Sequence, residues 1–340
     1  MADAFAAQAD HCEALGSPFM GRTMRLLDAA IPPGPVRDRL ESWPGSAGHR
    51  GDAVPLRLAG GLHALVRAGH PLAAAYPPNE VSDENLRDAI RHAVGSEPDA
   101  LMRALDGPPQ TNEIRRAACL IAAAHLLTVR HGLPLVLSEL GASAGLNLLF
   151  DRFALVTPDG PRGPDDPLLT LTPQWRGDTV PPDAPPSVRS RAGVDRAPID
   201  VRDPVQRDRL LSYLWPDQPF RVEMTKAAIG AGPPALDEGD AVDWLERRLS
   251  EPKPDALHLV YHTVFRQYLS PEAQDCQACL LAEAGARATP DAPLAHLSME
   301  GDDGTAPGAA ITLTTWPGGR VEPLGRICFH GRWIDWRAAA

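Results

Sequence analysis

The sequence predicts an α/β protein: a helical N-terminal region followed by a mainly parallel sheet wrapped by helices, with an inserted hairpin. Three observations predict it. Apolar residues recur at helical spacing from residue 1 to about 131. Near 133 the pattern changes to short apolar runs alternating with helical segments, the signature of a sheet covered by helices. A stretch rich in Pro, Gly and Asp, about 153–187, interrupts that alternation. The expected organisation is therefore a helical region over 1–131 and an α/β domain over 132–340 that carries the insertion.

The elements follow in order. Ala4–Leu15 is a short apolar stretch, and Ser17-Pro18 caps a segment over Phe19–Ile31. Leu56, Leu58, Leu62, Leu65 and Val66 fall near helical spacing, with Gly69 as a stop, and Ser82 caps a helix over 83–94. The clearest helix is 112–131, opened by Thr111: Ile114, Ala117, Ala118, Ile121 and His125 share one face, and Gly132-Leu-Pro134 ends it. Pro134–Leu137 then reads as a strand, followed by a glycine turn and a helix starting at Gly145. Phe153–Thr157 and Leu168–Thr172 are the two strands of the inserted hairpin. Further strands are expected at 190–194, 235–238, 257–262, 294–299, 309–316 and 325–330, and helices at 204–214, 222–230, 240–250 and 271–287.

Composition narrows the function classes. The chain has 340 residues, long for one domain and ordinary for two, and its 44% hydrophobic and 23% charged content is that of a globular protein. A net charge of −11 repels phosphate backbones, so a small-molecule substrate is expected rather than nucleic acid. No apolar run approaches the ~20 residues that span a bilayer, and the first residues lack a basic segment before an apolar core, so neither a membrane nor a signal peptide is expected. Five scattered cysteines read as free thiols in a reducing cytoplasm.

The chemistry centres on Glu139-Leu-Gly-Ala-Ser-Ala-Gly145. A strand entering a glycine turn and then a helix lets ligand atoms approach the backbone and meet the first helical N–H groups. Glu139 closes the strand, Gly141 makes the turn, Ser143 stands at its middle and Gly145 opens the helix. This E-x-G-x-x-x-G spacing resembles the first motif of class I S-adenosylmethionine-dependent methyltransferases, which implies a Rossmann-like, methyltransferase-type sheet. Asp195, after Gly193-Val194, stands where that family has the acid that accepts both ribose hydroxyls. Asp240 stands where an Asp contacts the adenine amino group. Asp195 lies about 50 residues past the first glycine, against a usual ~20, and the insertion accounts for the excess.

The same residues admit a rival. Gly141-Ala-Ser143-Ala-Gly145 is a literal G-x-S-x-G, the nucleophile elbow of α/β-hydrolases, with Asp240 or Asp243 and then His330 completing the order Ser, acid, His. That fold needs several strands before its elbow, whereas the upstream region reads helical, so the methyltransferase-like reading leads. A third alternative is a non-catalytic nucleotide-binding or scaffold protein.

Gln110-Thr-Asn-Glu113-Ile-Arg-Arg116, Glu139–Asn147, Asp151-Arg152, Gly193-Val-Asp195-x-x-Pro-Ile-Asp200, Leu214-Trp-Pro-Asp217 and His330-Gly331 together resemble the bacterial domain of unknown function 2332 family over nearly the whole chain. That resemblance implies a bacterial, cytoplasmic setting and carries no reaction.

Other residues have a functional and a bland reading. Thr111 or Asn112 caps a helix that Glu113 favours through the dipole, or Gln110, Asn112 and Glu113 stand over the site mouth, with the first two binding substrate and Glu113 catalytic. His262 ends the fourth strand, where open α/β sheets bind ligands, and suits a general base; a structural histidine is the alternative. Glu300 and His330, closing later strands, are analogous candidates for substrate binding and catalysis. Cys276-x-x-Cys279 lacks a second pair and reads as two buried thiols, and no metal is expected. The leading expectation is S-adenosylmethionine binding with methyl transfer to a small molecule.

Overall fold

The computed structural model describes residues 1–48 and 51–339 and forms two compact units. The first comprises Met1–Thr111 together with Val201–Glu223, and the second comprises 112–200 together with 224 onward.

The first unit is helical: α1 (Ala2–Ala14), α2 (Pro18–Ala30), α3 (Pro35–Glu41), α4 (Val54–Arg67), α5 (Asp83–Ser96), α6 (Pro98–Asp106) and α8 (Pro204–Ser212). Ser17 caps α2 through Met20 N and donates to Asp217 Oδ1 at 2.5 Å, while Phe19 N donates to Asp217 Oδ2. The Leu-Trp-Pro-Asp motif is thus a brace for the first helices. Gly60 on α4 lets the Tyr213 ring lie against the helix, since a Cβ there would come within 2.5 Å of a ring carbon. The residues 201–223 join this unit through such contacts, which no local pattern announces. The short helices α3 and α6 were not anticipated; α6 opens with a proline and buries only Leu101 and Leu105 among its nine residues, too brief a period to read.

The second unit holds α7 (Ala117–His131), α10 (Ala241–Leu249), α11 (Pro271–Ala286) and the end of α9 (Pro219–Gly230), around a nine-stranded sheet. The helix α7, grouped from sequence with the N-terminal region, packs within the sheet unit. The strands are β1 (Leu135–Leu140), β5 (Gln174–Trp175), β6 (Val188–Asp195), β7 (Asp237–Glu238), β8 (Leu257–Thr263), β9 (Leu294–Glu300), β10 (Ala309–Trp316), β11 (Arg320–Ile327) and β12 (Trp333–Trp336). Their order is β5-β12-β11-β10-β9-β8-β1-β6-β7. From β7 to β9 every pair is parallel; β9 to β12 is an antiparallel meander, and β5 lies parallel to β12. The fold is therefore mixed α/β with a helical N-terminal region and a large, mostly parallel sheet. All six residues of β1 are buried, as expected for a central parallel strand covered on both faces.

Four expectations change. The inserted pieces form a separate three-stranded sheet in which β2 (Phe153–Thr157) pairs antiparallel with β3 (Gly160–Arg162), and β4 (Leu169–Leu171) lies parallel to β2. The hairpin is thus β2–β3, closed by the Pro-Asp-Gly turn, and not the pair expected. Gly145 opens a 3-10 turn over Leu146–Arg152 rather than an α-helix, because the chain enters β2 directly at Phe153. His330 lies in the turn between β11 and β12, since the strand read at 325–330 ends at Ile327. Cys276 and Cys279 are exposed on the outer side of α11, not buried. Among the described residues no helix is long and apolar enough to cross a membrane.

Candidate functional site

The chain leaves β1, builds β6 and β7 to one side, and returns to build β8 and β9 on the other. That reversal is a topological switch point, and its crevice lies at the carboxyl ends of the strands. Glu139, Asp195, His262 and Glu300 all stand at those ends, on β1, β6, β8 and β9.

The turn after β1 alternates handedness: Gly141, Ser143 and Gly145 have φ of 67°, 54° and 70°. Only the two glycines adopt this without strain. Asp195 holds the loop. Its Oδ2 accepts from Ser143 N at 2.8 Å and its Oδ1 from Ala197 N at 3.1 Å, while Ile199 N donates to Ser143 O. Gly141 is a close-approach position whose neighbour is protein, for an added Cβ would meet the Phe265 ring at 2.4 Å. Gly145 likewise faces Leu236. Ser143 Oγ is buried and bonds to nothing among the described residues, so none of their histidines activates it as an elbow serine would require. β1 is also the first strand in the chain among the described residues. Asp240 caps α10 through Val242 N and Asp243 N and pairs with Arg196 at 3.3 Å. Burial opposes its ionisation, but those backbone N–H groups and Arg196 outweigh it and hold the carboxyl below its ordinary value.

The two most specific family motifs hold one another. Asn112 Oδ1 accepts from Leu146 N at 3.0 Å, capping the 3-10 turn thirty-odd residues on rather than its own helix. Asn147 Nδ2 donates to Glu113 O, and Glu113 Oε1 accepts from Arg115 N, so Glu113 caps the short turn 114–116. Arg116 then donates to Thr263 O at the end of β8 and to Phe329 O beside His330. Gly331 packs on Arg115 O, where a Cβ would come within 2.4 Å. Gln110 belongs to the first unit and Asn112 to the second. These bonds join 112–116, 145–147, the end of β8 and the His330 turn into one polar cluster.

Glu139 lies within it, 2% exposed and paired in register with Tyr261. Burial drives its carboxyl well above the ordinary range; the neighbouring Tyr261 hydroxyl offsets part of this, Asp195 adds to the rise and Arg116 opposes it. Its Oε2 has no hydrogen-bond partner. Burial therefore favours the protonated form of Glu139.

The end of β8 and β9 is built differently. His262 Nδ1 bonds Glu300 Oε1 at 2.6 Å, and that oxygen also accepts from Phe265 N at 2.8 Å and Arg266 N at 3.1 Å. Burial raises the Glu300 carboxyl, but His262 and the two N–H groups outweigh it and hold it below its usual value. Val264 makes this nest possible. Its φ of 56°, costly for a β-branched residue, turns the next two N–H groups toward the carboxylate. A carboxylate on Nδ1 fixes the imidazole tautomer and leaves Nε2 as the acceptor, the arrangement of a general base. The Phe265 ring, 5.7 Å from the His262 ring, also lies on Gly141 and is the wall shared by the two regions. His262 opens on a cavity of about 350 Å³ under α11.

Sequence reasoning placed His262 and Glu300 separately; the structure pairs them. It missed Tyr261, Arg116, His296 and Gln277. Arg116 stood in a quoted motif, but nothing local indicates that its partners are carbonyls of distant turns. No group of three metal-ligating side chains occurs among the described residues.

A bacterial protein family described as uncharacterized protein conserved in bacteria (DUF2332) matches residues 2–336. The chain belongs to that family. No curated protein and no solved structure gives a significant match.

Proposed function

We propose that this chain is a methyltransferase-like protein that binds S-adenosylmethionine at the carboxyl ends of β1 and β6 and acts on a small molecule, with His262 as proton acceptor. The observation that carries the reading is the placement of Asp195. It closes the strand beside β1, one residue past the Leu140–Val194 pair, next to a turn of left-handed residues. Counted along the chain, the five parallel strands take the order 3-2-1-4-5 of a Rossmann-type sheet, whose nucleotides sit at this switch point.

The residues fit the adenosine half of such a ligand. Each Asp195 oxygen accepts one N–H and keeps a lone pair, which suits a ribose diol. Ser143 Oγ is an orphaned hydroxyl beside it. Asp240 is engaged by α10 and Arg196, so adenine recognition would fall to backbone groups. Phe265 covers Gly141 and would turn aside for a ligand reaching the glycine turn. The bound group would supply an electrophilic methyl; the chain's share is positioning, and removal of the acceptor's proton by His262.

The test is calorimetric titration of wild type and Asp195→Ala with S-adenosylhomocysteine, with melting temperatures of both. The reading expects wild-type binding and a loss in the variant of about ten- to a hundredfold, from one or two charge-assisted hydrogen bonds. Asp195→Ala that melts lower but binds equally well would reduce Asp195 to a loop clamp. No wild-type binding at millimolar ligand would remove the cofactor.

A further inference from the structure

The cavity under α11 has a wall in which two buried polar atoms lack partners among the described residues. Gln277, 4% exposed and facing the sheet from α11, has its Nε2 donating to nothing. His296 Nε2, in the floor on β9, is shut from solvent and also unbonded. His262 is fixed through Nδ1 by Glu300, and its Nε2 has no hydrogen-bond partner among the described residues. At the rim the Arg266 side chain enters no ion pair among the described residues, although its backbone N–H is committed to Glu300. Among the described residues no carboxylate lines the wall: besides these groups it consists of Gln274, three hydroxyl side chains and an apolar side of Ala278, Leu281 and Trp316. A buried polar atom left without a partner is costly and rare, so a wall with two of them, Gln277 Nε2 and His296 Nε2, calls for an occupant.

We propose that this cavity binds a small organic carboxylate, its anionic end on Arg266 and Gln277 and its apolar body against Trp316 and Leu281, with His262 Nε2 accepting a proton donor of the same ligand. The chemistry follows from the wall. A lone guanidinium with no competing acid selects an anion, and its planar fork suits a carboxylate. The volume is that of a metabolite-sized ligand, within the range of small-molecule pockets. The apolar side separates an organic acid from a bare inorganic ion. The inference names the substrate class for the reading above, but the binding needs no cofactor.

The experiment titrates the full chain, without S-adenosylmethionine, against benzoate-type and short aliphatic carboxylates and their matched primary amides, by saturation-transfer NMR and calorimetry. The expected result is a carboxylate bound about tenfold or more tighter than its amide, each tenfold being 1.4 kcal/mol. Arg266→Gln, at an exposed position, should abolish that preference and leave amide binding alone. Gln277→Leu should weaken both ligands, and Ala278→Trp, exposed on α11 and lining the cavity, should block both. Equal affinity of acids and amides, preference retained in Arg266→Gln, or no carboxylate bound at millimolar concentration would each overturn the proposal. Phenyl phosphate preferred over benzoate would overturn the carboxylate assignment. Because S-adenosylhomocysteine is absent, failure here leaves the cofactor reading standing, and loss of that reading leaves this one.

Discussion

Glu139 and Glu300 close two parallel strands of one sheet, both are largely buried, and their acidities move in opposite directions. Around Glu139 the chain has turned its hydrogen bonds inward: Asp195, Asn112 and Asn147 tie loops together, and Phe265 and Leu236 fill the space at the glycines. No donor among the described residues reaches Glu139 Oε2, so burial dominates and shifts the acid toward its protonated form. Around Glu300 three donors converge, a strained Val264 aims two of them, and a cavity opens beside the histidine they orient. The more recognisable motif is thus packed by its own side chains, while the oriented base and the open space beside it lie on the neighbouring strands β8 and β9. Motif spacing reports where the backbone turns; it does not report which side chains fill the turn.

The largest effect expected from breaking this contrast is at Glu300. Glu300→Ala strands the His262 ring N–H and two backbone N–H groups, and should cost roughly 3–5 kcal/mol in urea unfolding, since each buried donor left unmade costs about 1–3 kcal/mol. Glu300→Gln, keeping an acceptor, should cost clearly less. Equal losses for the two variants would mean that packing, not the converging donors, holds this end of the sheet.

Glu139 gives an effect of opposite sign in pH. Its folded pKa is raised, so its contribution is whole below the ordinary carboxyl value and is lost as pH rises from there toward the folded value. Glu300, with a depressed folded value, contributes above the ordinary range and loses that contribution as pH falls through the folded value. Glu139→Gln should therefore gain stability relative to wild type as pH is raised from about 5 to about 8, while Glu300→Gln differs least from wild type in acid. Unfolding curves at several pH values check both. Parallel wild-type and Glu139→Gln profiles would show that Glu139 is ionised in the folded protein.

The smallest effect sharpens the comparison at the strained residue. Val264→Gly removes a β-branched side chain from left-handed backbone, and should leave stability unchanged or raise it by up to about 1 kcal/mol. Val260→Gly, four residues earlier in the buried strand, should cost about 3 kcal/mol or more. A comparable loss at both positions would mean that Val264 contributes by packing and that its conformation carries little strain.

Much of the fold was legible because its signals are local. Ser17 and Ser82 cap the helices where their hydroxyls meet free N–H groups, and the apolar runs at 257–262 and 309–316 become β8 and β10 within a residue. Period and caps were enough for a helical region followed by a mostly parallel sheet, and for Glu139, Asp195, His262 and Glu300 near strand ends. What stayed hidden depends on partners distant in sequence. Strands of alternating residues pair in either direction, so β9–β12 became a meander and β4 turned parallel only once neighbours were in place. Asn112 could be read as a cap, but its partner Leu146 lies on another segment. The joining of His262 to Glu300, the turning of Arg116 to two carbonyls and the unpartnered Gln277 over its cavity were decided only by the tertiary structure, because a hydrogen bond's direction is set by where the whole chain places donor and acceptor.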